Sequence, residues 1–286
     1  MLSDMPATIF AHQALVLPLK MRWPRHFHGL ALCIGSMAPD LEFIGRMSDD
    51  WLFSHTLAAQ LYFSVPVTLA LVLLLTRVVL PTVLPFVRDH PRLRLHDLAA
   101  LRAPQGVRGW VVAVVSAFVG GVSHWALDGI THGGHSGWAV TYLPWLQAPV
   151  PSVGGMVPLH DALQLWLTVL LGTAGVRMCA RISRERLLWQ WRSLQPVALP
   201  RRARHQGGWL AIGLAAAAVS GALFGHTLRT DPSPKLLAAS VAFGAIDACL
   251  MALLLFAAAL QLRSPRGTLA TGRESALGSI VHERRP

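Results

Sequence analysis

The run from Gly109 to Thr131 constrains this chain more than any other stretch. It is long and apolar enough to cross a bilayer, yet its last third carries His124 and Asp128, with His132 just beyond. Each of the three follows the last by four residues. On an α-helix that spacing stacks side chains on one face, drifting by roughly 40° per step. A carboxylate near the bilayer centre costs about 2.5–3.5 kcal/mol on insertion scales, so polar groups in such a run point to function or to specific pairing. The other segments must be consistent with this face.

Two short apolar segments precede it. Residues 7–19 contain His12 and reach roughly 20 Å as a helix, short of a full crossing. Residues 29–45 end on Pro39, Asp40 and Glu42, where the proline breaks or kinks the helix. Long runs follow at Leu52–Leu80, with His55 near its start, at 109–131, at Leu159–Val176, and at 208–225 and 236–262. The expected fold is therefore all-α. It is a polytopic helical membrane protein with about five full spans plus two short N-terminal helical segments. Only 14% of the residues are charged, against about 25% in soluble domains.

Four units are expected: a membrane-embedded helical domain over 1–180, a basic amphipathic linker over 181–206, a two-helix membrane hairpin over 207–263 and a disordered basic tail over 264–286. Gly221 and Gly225 give the hairpin a G-x-x-x-G spacing suited to close helix packing. No cleavable signal peptide is expected, and Met5 is an alternative start. Cys33, Cys179 and Cys249 lie far apart in or beside apolar runs, and packing is their expected role.

The net charge of +11 raises nucleic acid as a partner. Its placement favours a topology signal instead. Segments 20–26, 77–108, 177–205 and 263–286 hold 22 of the 25 Lys and Arg residues, and the alternate connections hold the remaining three. Basic segments favour the cytoplasmic side, so the C-terminus is expected there, in a bacterial cytoplasmic membrane, with lipids as partners and no nucleic acid. That map delivers His12, Asp40, Glu42, His55, His124, Asp128 and His132 to the opposite, outer face. His135 and His160 lie in or beside the outer loop, whose Trp138, Tyr142 and Trp145 suit a membrane-interface belt.

Imidazoles with carboxylates suit Zn²⁺, with Mn²⁺ or Fe²⁺ as alternatives. An H-x-x-x-D pair on a helix supplies two ligands, and His12, Asp40 and His55 are available to complete the set. A bound metal could make hydroxide available for hydrolysis, with Asp40 or Glu42 as proton acceptor and His132 as ligand or shuttle. The alternatives are a hydrogen-bonded clasp at a helix end, or an ion path that also uses Asp247 in the last apolar run. No serine nucleophile elbow, phosphate-binding loop or dinucleotide fingerprint is present in the sequence.

Six tracts carry a family resemblance: P-A-T-I-F-A-H-Q-A-L-V-L-P-L, I-G-S-M-A-P-D-L-E-F, F-S-H-T-L, S-H-W-A-L-D-G-I-T-H-G-G, W-A-V-T-Y-L-P-W-L and P-L-H-D-A-L-Q-L. Together they resemble the family called domain of unknown function 4184, over roughly residues 5–180. The C-terminal two-span part is expected to lie outside it. The order H, P-D, S-H, H-x-x-x-D is also similar to bacterial membrane-bound metal-dependent hydrolases. More remotely it resembles the zinc-dependent phospholipase C and nuclease superfamily. By position, the resemblance implies His12, Asp40, His55, His124 and Asp128 as metal ligands. The implied activity is hydrolysis of a phosphoester or lipid-linked ester at the outer face.

Overall fold

A computed structural model describes residues 9–42, 53–87, 89–134, 136–152, 155–196 and 213–223, with Cys249, Ala252 and Phe256. The described residues are mostly helical. Three helices are long and apolar enough to cross a membrane: Gln60–Phe86, Gly106–Thr131 and Leu159–Arg184. These correspond to the first three of the five expected spans. Of the other two runs only the helix Gly213–Leu223 and the single residues Cys249, Ala252 and Phe256 are described, and Asp247, His135 and the tail fall outside the described residues.

Helix α1 (Ile9–Arg22) and helix α2 (Gly29–Gly35) are the two short N-terminal segments. Lys20 joins them by donating from Nζ to the carbonyls of Pro24 and Phe27 at 2.6 and 2.8 Å. The His28 ring caps α2, accepting from the Ala31 N–H at 3.2 Å. Helix α3 (Gln60–Phe86) is irregular. Wide π turns at Gln60–Ser64 and Leu75–Val79 come just before Pro66 and Pro81. A proline has no N–H to return to the carbonyl four residues back, and a widened turn absorbs that loss.

Helix α4 (Gly106–Thr131) is the central element, packed by α2 and α3 around a small core of Ala31, Val65, Val72, Ala113 and Ala117. The α2–α4 crossing is backbone on backbone. A Cβ on Gly120 would stand 2.5 Å from the Leu32 carbonyl oxygen, and one on Gly35 would collide with the Ala117 carbonyl. Only glycines allow this approach. It brings the turn after α2, and with it Asp40, against the last turns of α4.

The connection after α4 is more structured than a loop. It holds helix α5 (Trp138–Tyr142), then an antiparallel hairpin of β1 (Pro149–Ser152) and β2 (Gly155–Pro158), with Val150 opposite Val157. Helix α6 (Leu159–Arg184) outruns its apolar stretch by eight residues, carrying Arg177, Arg181 and Arg184 past Val176. Long basic side chains tolerate this because their heads can reach an interface while the stems stay apolar. A last turn, α7 (Leu187–Gln190), follows. The outer surface of the long helices is apolar, with exposed Leu61, Val115, Trp166, Val169 and Leu170, as lipid contact requires. All three cysteines are free thiols.

Candidate metal centre

Four elements deliver the cluster. His12 comes from α1, Asp40 from the turn after α2, His55 from the turn Phe53–His55 before α3, and His124 and Asp128 from α4. Asp128 sits at the middle. Its Oδ2 lies 3.0 Å from His124 Nε2 and 3.5 Å from His55 Nε2, and its Oδ1 lies 3.5 Å from His12 Nε2 and 3.6 Å from His132 Nδ1. Asp40 Oδ1 closes the other side, 3.6 Å from His55 Nε2 and 3.5 Å from His124 Nε2. The two Nε2 atoms are 3.4 Å apart.

These separations have the size of a coordination polyhedron. A tetrahedral ion with metal–ligand distances of about 2.0–2.1 Å has ligand–ligand edges of about 3.3–3.4 Å. Five of the six edges among Asp40, His55, His124 and Asp128 are 3.0–3.6 Å. One ligand atom from each of the four lies within 4.8 Å of every other. The residues therefore fit a small divalent cation.

The surrounding hydrogen bonds turn the rings the right way. His124 Nδ1 lies 3.0 Å from the Ser36 carbonyl, which can only accept. The Ser54 hydroxyl donates to the Pro39 carbonyl at 2.9 Å, so at 3.0 Å it accepts from His55 Nδ1–H. In both neutral rings Nε2 is left with its lone pair, and the two lone pairs face each other. Two acceptors this close beside two carboxylates are repulsive unless a proton or a cation sits among them. The electrostatics agree: burial pushes the Asp40 carboxyl up, but His124 and His55 outweigh it and hold it below its usual range. Burial lowers His55, and Asp128 and Asp40 outweigh that, raising its affinity for a proton.

Ser54 anchors more than one contact. Its backbone N–H donates to Glu42 Oε2 at 2.8 Å, and its carbonyl accepts from Gln60 Nε2 at 2.7 Å. Glu42 is thus directed at the His55 turn. Replacing Ser54 with alanine removes the acceptor that orients His55. Metal affinity is expected to fall about 10–100-fold with the helix content unchanged, as read by zinc titration against a competing chelator.

His12 stands beside the four-donor set. It is fully buried, its ring stacks on His124 at 4.0 Å, and neither nitrogen has a hydrogen-bond partner among the described residues. His132 caps α4, its backbone N–H returning to the Asp128 carbonyl at 2.9 Å. The Gln164 amide lies 3.1 Å from His132 Nε2, and Thr131 Oγ1 lies 3.1 Å from its Nδ1. Because Gln164 Nε2 is a donor, the ring's proton lies on Nδ1, toward Asp128. His160 sits apart, its Nδ1 held by the Leu146 carbonyl at 3.0 Å. Ser36, Ser54 and Gln164 were not singled out in the sequence. Only the "S" of the S-H and G-S tracts hints at the first two.

The sequence profile of the domain of unknown function DUF4184 matches residues 5–258. The chain belongs to this DUF4184 family. The match runs well past residue 180 and takes in most of the C-terminal apolar region, which the sequence tracts had left outside the family. The polar tracts that carry the resemblance are concentrated in the first 165 residues, and the remainder is legible only as greasy composition. No curated protein and no solved structure matches the chain.

Proposed function

We propose that this DUF4184 protein is an integral-membrane, metal-dependent hydrolase of the bacterial cytoplasmic membrane. Its substrate is a phosphoester or lipid-linked ester at the face opposite the basic loops. The observation that carries the reading is the set of four donors at tetrahedral edge lengths, with both imidazoles turned Nε2-first. Zinc is the best match to a nitrogen and oxygen donor set of this size, with Mn²⁺ or Fe²⁺ as alternatives. Asp40, His55, His124 and Asp128 would hold it, with His12 stacked on His124 beside them. Such an ion supplies Lewis acidity and a water of lowered pKa.

The chain's own groups divide the remaining work. Asp40 is the more open ligand, its side chain 16% exposed against 5% for Asp128. Its second oxygen, Oδ2, is itself buried and has no hydrogen-bond partner among the described residues. That oxygen is the base that takes a proton from the attacking water, ahead of Glu42, which is committed to the Ser54 N–H. His132, 18% exposed, directs its Nδ1–H toward Asp128 and orients that ligand, and the proton taken up by Asp40 is the one returned to the leaving oxygen. Substrate would approach between Asp40 and His132, the two cluster side chains that water reaches most easily.

Replacing Asp40 with asparagine keeps a ligating oxygen and removes the base. Hydrolysis of a chromogenic phosphodiester is expected to fall about 10²–10⁴-fold while most of the bound metal is retained. A second reading is favoured by the donor count: four protein ligands fill a tetrahedron, as in structural sites, whereas catalytic zinc keeps a position open. On that reading the ion only clasps α2, α3 and α4, and Asp40→Asn changes stability without any activity to lose.

A further inference from the structure

A cavity of about 660 Å³ opens at the other end of the bundle. It is bounded by Lys20 at the end of α1, Arg108 in the first turn of α4, and Ile182 near the end of α6. Arg108 is sixteen residues from His124 on one helix, which is about 24 Å along its axis. The cavity is therefore separate from the metal centre and owes nothing to its chemistry. Its volume is in the range of small-molecule sites.

The lining has two parts. The interior is aliphatic, including Leu30, Val112, Ile182 and Leu188. Around it stand six cations: Lys20, Arg25, Arg94, Arg102, Arg108 and Arg192. The wall contains one acid, Asp97, which accepts from Trp189 Nε1 at 2.9 Å and faces Arg186 at 3.9 Å. Lys20, Arg94 and Arg102 donate to backbone carbonyls. Arg25, Arg108 and Arg192 have no side-chain hydrogen bond or ion pair among the described residues. The charge is felt locally: burial and then Arg192 push the Lys20 ammonium down to about 8, and burial and then Arg102 lower the Arg192 guanidinium. Clustered cations over an apolar hollow are stable when an anion neutralises them and a chain fills the hollow.

We infer that this cavity binds an anionic phospholipid from the leaflet on the basic side, with an acyl chain among Leu30, Val112, Ile182 and Leu188 and the phosphate at Arg25, Arg108 and Arg192. Basic pockets between membrane helices recognise anionic headgroups in this way. A free anion would use the rim and leave the aliphatic interior wet. A neutral lipid would fill the interior and leave the cations unpaired.

The test uses full-length protein reconstituted in phosphatidylcholine bilayers containing a minor fraction of phosphatidylglycerol. Lipid retained after gentle detergent extraction is read by native mass spectrometry. Phosphatidylglycerol is expected to be enriched over its bilayer fraction and to fall about fivefold for each guanidinium removed in Arg108→Gln and Arg192→Gln. Leu188→Trp narrows the interior while keeping every charge, and is expected to lower retention several-fold. It also decides the matter if the charge variants fail to give a monodisperse size-exclusion profile. Equal retention of both lipids overturns the assignment, and so does retention that Leu188→Trp leaves unchanged. Inorganic phosphate that binds wild type and Leu188→Trp alike, and competes with phosphatidylglycerol, would assign the rim to a soluble anion instead.

Discussion

Replacing Asp128 with alanine is expected to empty the metal centre. No other side chain touches as much of it: His12, His55, His124 and His132 all lie 3.0–3.6 Å from one of its two oxygens. Removing it deletes a ligand and leaves four imidazoles with only Asp40 to offset a cation. Bound zinc is expected to fall below about a tenth of the wild-type content, and any hydrolytic activity to fall to background. Elemental analysis of detergent-purified protein reads the first, and phosphodiester turnover the second. Asp128→Asn separates charge from shape, because the amide keeps an oxygen ligand but not the negative charge. It should retain more metal than Asp128→Ala and less than wild type.

Chelation is expected to loosen the fold of the wild-type protein and to leave Asp128→Ala unaffected. The ligands come from a turn after α2, a turn before α3 and the end of α4, so a bound ion would reinforce elements otherwise joined by a few hydrogen bonds through Ser36, Pro39 and Ser54. A ligand that binds only the folded state at a thousand times its Kd adds about 4 kcal/mol. Thermal unfolding in detergent with and without a strong chelator measures that difference directly. Acidification should act in the same direction, because imidazole must be neutral to ligate and metal uptake releases protons. A metal-free hydrogen-bonded clasp would behave otherwise: chelator would change nothing.

The parts of this architecture that were legible in the sequence are those written in polar residues against an apolar background. His124 and Asp128 announce themselves because four-residue spacing on a helix has one geometric meaning. Asp40 and His55 could be added because alternating basic loops placed them on the same side, and the structure brings both to within 3.6 Å of the α4 pair. His12, expected from the sequence as a further ligand, stacks on His124 beside the four donors. The positioning groups were not legible. Ser36 acts through a backbone carbonyl that any residue possesses, and Gln164 reaches His132 from a helix that pattern alone does not bring near. The Gly35–Gly120 crossing was likewise hidden, since a glycine reports close approach only once its partner is known. The β1–β2 hairpin escaped notice because Pro149, Pro151 and Pro158 read as loop punctuation, and its ladder is only four residues long.

The most direct measurement is X-ray absorption at the zinc edge on full-length protein purified without chelator, paired with metal stoichiometry. About one zinc per chain is expected, with nitrogen and oxygen scatterers only, at about 2.0–2.1 Å, and the outer-shell pattern of two imidazoles. Loss of one imidazole signal in His124→Ala should accompany a large drop in content. Protein that is folded and monodisperse yet takes up no zinc, manganese or iron, or that holds its metal through cysteine sulfur, would contradict the account.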